Sequence, residues 1–110
     1  MSDLASRECA PCRGGVEPLR GAEVGKYLNE LDEWEVVAER ELRKAYAFEN
    51  FLEALEFVHR VGQIAEAEGH HPDICFGWGR AELTLTTHDI GGLSENDFIV
   101  AAKIDGITKG

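Results

Sequence analysis

Two hydrophobic rhythms alternate along the chain, and each switch between them marks an element boundary. Val24, Tyr27, Leu28 and Leu31 recur at helical spacing and predict a first helix over about residues 21 to 31. Its start is weak, because Arg20-Gly21 offers no short polar side chain as an N-cap. The period then drops to two. Trp34, Val36 and Ala38 alternate with Glu35, Val37 and Glu39, and beyond a charged turn near Arg40 the positions Leu42, Lys44, Tyr46 and Phe48 alternate again. This predicts a β-hairpin.

Asn50, with Glu53 three residues on, has the form of a capping box and opens the longest helical pattern. Phe51, Leu55, Val58, Val61 and Ala65 form its apolar stripe, widened by Phe57 and Ile64, and core packing is the expected use of that stripe. Gly69 supplies a left-handed stop and Pro72 forbids continuation. A second hairpin follows. Ile74, Phe76 and Trp78 share one face and Cys75 and Gly77 the other, with Gly79-Arg80 as the expected turn. The return strand, 81 to 88, puts Leu83, Leu85 and Thr87 on one face and Glu82, Thr84, Thr86 and His88 on a more polar one. After Gly91-Gly92, Ser94 and Asp97 again match a capping box, opening a last helix with Phe98, Ala101, Ala102 and Ile104 apolar that fades by Gly106.

The predicted order is helix, hairpin, helix, hairpin, helix: an α+β fold with a four-stranded antiparallel sheet and three helices on one face. The uncovered sheet face and edges favour self-association. Pro11, Gly14, Gly15 and Pro18 mark residues 1 to 18 as an extended arm, leaving 19 to 110 as a single domain. At 110 residues such a domain removes roughly two-thirds of its unfolded surface from water and needs no disulfide or metal to hold it.

Composition narrows the partners. A net charge of -10, from 21 acidic and 11 basic residues, argues against nucleic acid or an anionic membrane and for a neutral small molecule or a protein. No apolar run approaches a membrane span and no secretory segment follows Met1, so a soluble, cytoplasmic protein is expected. Cys9, Cys12 and Cys75 are an odd set, for which reduced thiols are the default. Cys9 and Cys12 have CxxC spacing, which serves zinc or redox chemistry elsewhere, but no second CxxC or strand-helix context accompanies them.

The candidate chemistry lies between Glu66 and His88, which contain three of the four histidines. With a Gly79-Arg80 turn, Trp78 pairs with Ala81 and His88 falls opposite His71, so His70, His71 and His88 converge at element ends. The preceding helix C-terminus, with Glu66 and Glu68 in its last turn, favours protonated rings, whereas crowding of three imidazoles opposes it. Histidine's ordinary pKa of ~6.5 suits such a cluster to moving protons. Three other readings stay open: a metal site, although the adjacent histidines do not match i, i+4 ligand spacing; a structural cluster capping element ends; and nucleophilic chemistry at Cys75. Asp97 is equally readable as a helix cap. His59, beside Arg60 on the long helix, reads as a surface or packing residue.

Glu66, His70-His71-Pro72, Trp78, His88 and Asp97 match, in residue type and spacing, the motif of the pterin-4a-carbinolamine dehydratases. Phe48-Glu49-Asn50-Phe51, Leu85-Thr86-Thr87-His88 and Gly91-Gly92-Leu93 also resemble that family, and the resemblance covers about residues 17 to 105. It implies dehydration of a 4a-hydroxytetrahydropterin to the quinonoid dihydropterin, as in tetrahydrobiopterin recycling, with no metal and no cofactor. By resemblance His70, His71 and His88 are the catalytic histidines, with His71 and His88 as the proton-transferring pair and His70 orienting the pterin. Glu66, Pro72, Trp78 and Asp97 are then substrate-binding positions. The family also implies a homodimer or homotetramer. Its members in animals double as a dimerisation cofactor of a homeodomain transcription factor, which makes a partner-binding module the alternative function.

Overall fold

The computed structural model describes residues 4–9 and 17–108. Three α-helices, α1 (Gly21–Leu28), α2 (Phe51–Glu68) and α3 (Glu95–Thr108), accompany strands β1 (Glu35–Val37), β2 (Glu41–Ala47), β3 (Asp73–Gly77) and β4 (Arg80–Leu85). The strands form one antiparallel sheet in the order β1-β2-β4-β3. The fold is α+β, but the predicted order does not hold as written. A 3-10 turn at Leu4–Ser6 precedes α1, and another at His88–Ile90 separates the second hairpin from α3.

The core forms where the inward residues of the sheet, Leu42, Ala81, Leu83 and Leu85, meet Val24 of α1, Phe57 and Val61 of α2, and Phe98 through Ala102 of α3. Glu82, Cys75 and Asp73, on the alternate positions, are exposed. Among α2's apolar residues the predicted stripe is rotated. Ala54, Phe57, Val61 and Ala65 are buried, whereas Phe51, Leu52 and Leu55 are 46%, 61% and 41% exposed. The apolar arc of this helix is wider than one contact face, so packing against the sheet chose which edge of it entered the core. Asn50 accepts from Glu53 N at 2.9 Å and the Glu53 carboxylate accepts from Glu49 N, a capping box displaced by one residue on its return bond.

α3 is buried nearly all round: every residue from Asn96 to Ala102 is buried. A helix of this kind needs cover on the side the sheet cannot reach. The N-terminal stretch provides part of it. Leu4 is fully buried, Lys103 donates to Ala5 O at 2.9 Å, Arg7 pairs with Glu95 at 2.7 Å, and Glu68 accepts from Cys9 N at 2.9 Å. Residues 4–9 of the expected extended arm are therefore folded against α3 and the end of α2, because Leu4 has an apolar face to bury. Cys12 lies outside the described residues.

The second hairpin also differs from expectation. Its turn is Trp78-Gly79, with Gly77 opposite Arg80 and Ile74 opposite Leu83. Gly79 holds φ +72, and a Cβ there would meet Phe48 O at 3.2 Å, which explains why glycine takes the second turn position. The register differs by two residues from the predicted one, an even shift that preserves which side chains face the core. It removes the direct pairing of His71 with His88.

Candidate active site

α2 ends as its sequence requires. Gly69 adopts φ +67, and the N–H groups of Gly69 and His70 both bond to Ala65 O, so the chain turns sharply off the helix at the two histidines. Across from them, β4 ends at Leu85 and an isolated bridge between Thr87 and Gly92 folds His88 into the 3-10 turn. His70, His71 and His88 thus line one open cavity of about 430 Å³, together with Gly69, Thr86, Thr87 and Asp89. A cavity of that size is within the range of small-molecule sites.

The three rings differ in their surroundings. His70 is buried, and its Nε2 lies 2.6 Å from Oδ1 of Asp97, which is itself fully buried. The other Asp97 oxygen, Oδ2, accepts from Thr87 Oγ1 at 2.8 Å and from Ser94 N at 2.9 Å. Asp97 is therefore at once the capping-box acid of α3 and the partner of His70. Being buried, it meets the cavity only through His70, so it does not line the cavity as a substrate-binding residue would.

His71 stands at the rim with its Nε2 against Glu66 Oε2, both side chains more than half exposed. His88 is exposed and its ring has no hydrogen-bond partner among the described residues. Two carboxylates thus hold two of the rings and leave the third free to meet a ligand. Among the described residues no three His, Cys, Asp or Glu side chains are grouped to hold a metal ion.

Two predicted site residues stand apart. Pro72 is half-buried on the way into β3 and does not line the cavity. Trp78 is 72% exposed in the hairpin turn, beyond the far end of β3 and seven residues from His71, so roughly 20 Å from it. One chain does not bring it to the cavity. His59 is exposed on α2, as read from its position. Thr86, Thr87 and Asp89 were missed, and only Thr87 carried a signal: it is the polar member of the inward series Leu83, Leu85, Thr87, and a buried hydroxyl needs a partner.

The N-terminal stretch packs on the last turn of α2, just before the histidines. The Cys9 N–H and the Lys103 ammonium, the latter 3.7 Å away, hold the Glu68 carboxyl below its ordinary value against the opposing effect of burial. Burial and that same carboxylate push the Cys9 thiol up to about 12, so it is a poor nucleophile.

Comparison with known proteins identifies the family. A protein of Rubrobacter xylanophilus with the provisional name pterin-4-alpha-carbinolamine dehydratase is 59% identical over 96% of this chain and 98% of its own. One of Methylococcus capsulatus with the same provisional name is 50% identical over 93% and 90%. The crystal structure of a Brucella melitensis protein described as a transcriptional coactivator/pterin dehydratase superposes with a TM-score of 0.77 at 30% identity, covering 83% of this chain and 98% of that one. A pterin dehydratase-like protein identified as a RuBisCO assembly factor of the alpha-carboxysome shares the fold at a TM-score of 0.59 and 24% identity, over 69% of this chain and 89% of its own. The family model for pterin 4 alpha carbinolamine dehydratase matches residues 17–107, and the chain belongs to that family.

Proposed function

We propose that this protein dehydrates a 4a-hydroxytetrahydropterin to the quinonoid dihydropterin, regenerating the reduced-pterin cycle in the cytoplasm. The observation that carries the reading is the convergence of His70, His71 and His88 on one open cavity, two of them already held by carboxylates. The reaction needs two proton movements. The N5–H proton leaves to a base, the C4a–O bond breaks as an acid protonates the departing hydroxyl, and the C4a=N5 double bond forms as water is released. Positioned acid or base groups typically contribute ~100 to 10,000-fold to such a step.

His71 and His88, the two exposed rings, are the proton-transferring pair. Glu66 orients His71, and His70, held from below, binds and orients the pterin. Residues 19 to 110 form the catalytic domain. The substrate is neutral, in keeping with the acidic chain. Turnover of a 4a-hydroxytetrahydropterin, followed by its ultraviolet absorbance, tests the reading: His71→Ala and His88→Ala should each cut the rate above the spontaneous reaction by ~100-fold with the circular dichroism unchanged. Wild-type protein that leaves the spontaneous rate unaltered would refute it.

A second reading has one observation in its favour. Phe51, Leu52 and Leu55 present an apolar strip on the outside of α2, a feature suited to a protein partner or to a homodimer or homotetramer of this chain. The Brucella relative's double description, as coactivator and dehydratase, fits a protein that keeps its site and uses its surface as well.

A further inference from the structure

We propose that Thr87 is a positioning residue that fixes the tautomer of His70 through Asp97, leaving Nδ1 of His70 as the acceptor that a bound pterin N–H meets. The pterin in this statement rests on the dehydratase reading; the tautomer does not.

A hydroxyl has one proton to give. Thr87 Oγ1 lies 2.8 Å from Asp97 Oδ2 and 2.8 Å from Ser94 Oγ. The carboxylate can only accept, so the Thr87 proton goes to Asp97 and the Ser94 hydroxyl donates to Thr87. Ser94 N–H also donates to Oδ2, at 2.9 Å. Both donors act on the same oxygen and pin the carboxylate plane, which turns Oδ1 toward His70 Nε2 at 2.6 Å. Every bond in this chain runs toward Asp97, so Nε2 must carry the proton that it shares with Oδ1. In the neutral ring Nδ1 then holds a lone pair.

Nδ1 has no protein partner among the described residues. The buried side-chain polar atoms without a partner among those residues are Arg43 Nε and Tyr46 Oη, and His70 Nδ1 is not one of them. His70 is one of the residues that line the cavity, which is where a ligand would meet that nitrogen. Thr87 is 3% exposed, so it acts from beneath the site, through Asp97.

The test uses the full chain labelled with 15N-histidine, with the His70 signals assigned by single His→Gln replacement. The wild type, Thr87→Val and Thr87→Ser are compared without ligand and in turnover. Valine keeps the volume of threonine and loses the hydroxyl; serine keeps the hydroxyl and loses the methyl. We expect neutral His70 to be Nε2-protonated in wild type and Thr87→Ser, and to become a mixture of tautomers in Thr87→Val with kcat/KM about tenfold lower, as expected for a lost charge-assisted hydrogen bond.

A packing role for Thr87 predicts the reverse ranking, with Thr87→Ser the poorer variant. That ranking, an Nδ1-protonated wild-type ring, or an unmoved tautomer in Thr87→Val would each overturn the proposal. If Thr87→Val does not fold, Ser94→Ala takes its place: it removes the donor to Thr87 and keeps the backbone N–H, and should shift the tautomer in the same direction by a smaller amount. An unshifted His70 there overturns the proposal as well. Wild-type protein with no turnover above the spontaneous rate would sink the dehydratase reading alone, since the ring signals still judge the relay.

Discussion

α3 carries two buried carboxylates, Asp97 in its first turn and Asp105 two turns later, and they are put to opposite uses. Asp105 accepts from Trp34 Nε1 at 2.8 Å, Asp32 N at 2.9 Å and Lys44 Nζ at 3.3 Å. Lys44 is itself buried, with its ammonium also bonded to Asp32 O and lying over the rings of Trp34 and Tyr46. The three donors to Asp105 come from the β1–β2 side of the fold, and Lys44 also borders a cavity there with Glu33, Glu35 and Arg43. Asp97 instead spends one oxygen on Thr87 and Ser94 and the other on a histidine that lines the cavity. The partners differ in kind: Asp105 holds an ammonium that is bonded onward to Asp32 O, whereas Asp97 holds one of the imidazoles that line the histidine cavity.

The comparison can be broken most forcefully at Asp105. Asp105→Ala strands the Lys44 charge in the core and should cost about 3–5 kcal/mol in urea unfolding, while turnover per folded molecule stays as in wild type. Loss of turnover at unchanged stability would erase the distinction between the two acids. Leu4→Ala comes next. It opens a cavity beside α3 and should cost about 2–5 kcal/mol; a cost near zero would mean that the N-terminal stretch does not cover the helix.

Asp97→Asn offers an amide where His70 needs an acceptor and should lower kcat by ~100-fold or more, with a smaller change in stability than at Asp105. Equal stability losses at both acids with normal kcat at Asp97→Asn would reverse the assignment. The smallest effect concerns Glu68. Its folded-state pKa is lowered, so the stability it contributes is present above its unfolded value of ~4.3 and is lost as pH falls through the lowered one. Hydrogen exchange of residues 4–9 should therefore quicken in acid in wild type and much less so in Glu68→Gln. In the same variant the Cys9 thiol, relieved of its neighbour's charge, should alkylate faster at neutral pH, read by mass spectrometry of its peptide.

Much of this molecule was legible in the chain because local rules are strict. Gly69 could stop α2 in the left-handed region, Asn50 could cap it, and the alternation of Leu83, Leu85 and Thr87 told the inward face of β4 whatever the register. The histidine cluster was legible for the same reason, since both histidine sites stand where an element must end. The turn position was not, because Trp78-Gly79 and Gly79-Arg80 both contain the one glycine that a turn needs; the contact with Phe48 decided between them. Nor was the rotation of α2, whose apolar arc fits two faces, or the docking of Leu4, which depends on a gap beside α3 that no local pattern records.

By itself, then, the sequence determined the three α-helices and four strands, the α+β class and the end of the sheet at which imidazoles gather, since these follow from periodicity, caps and breakers acting over a few residues. Tertiary structure decided which groups share a hydrogen bond. Asp97 reads as a cap in the chain and is one, yet burial beside His70 and Thr87 gives its second oxygen a purpose that spacing cannot show. Trp78 reads as part of the motif and stands a strand away from the histidines. The physical reason is common to both. A capping bond is made within one turn of helix, whereas the choice of a histidine, a threonine or open solvent as the other partner depends on segments far apart in sequence that meet only when the core closes.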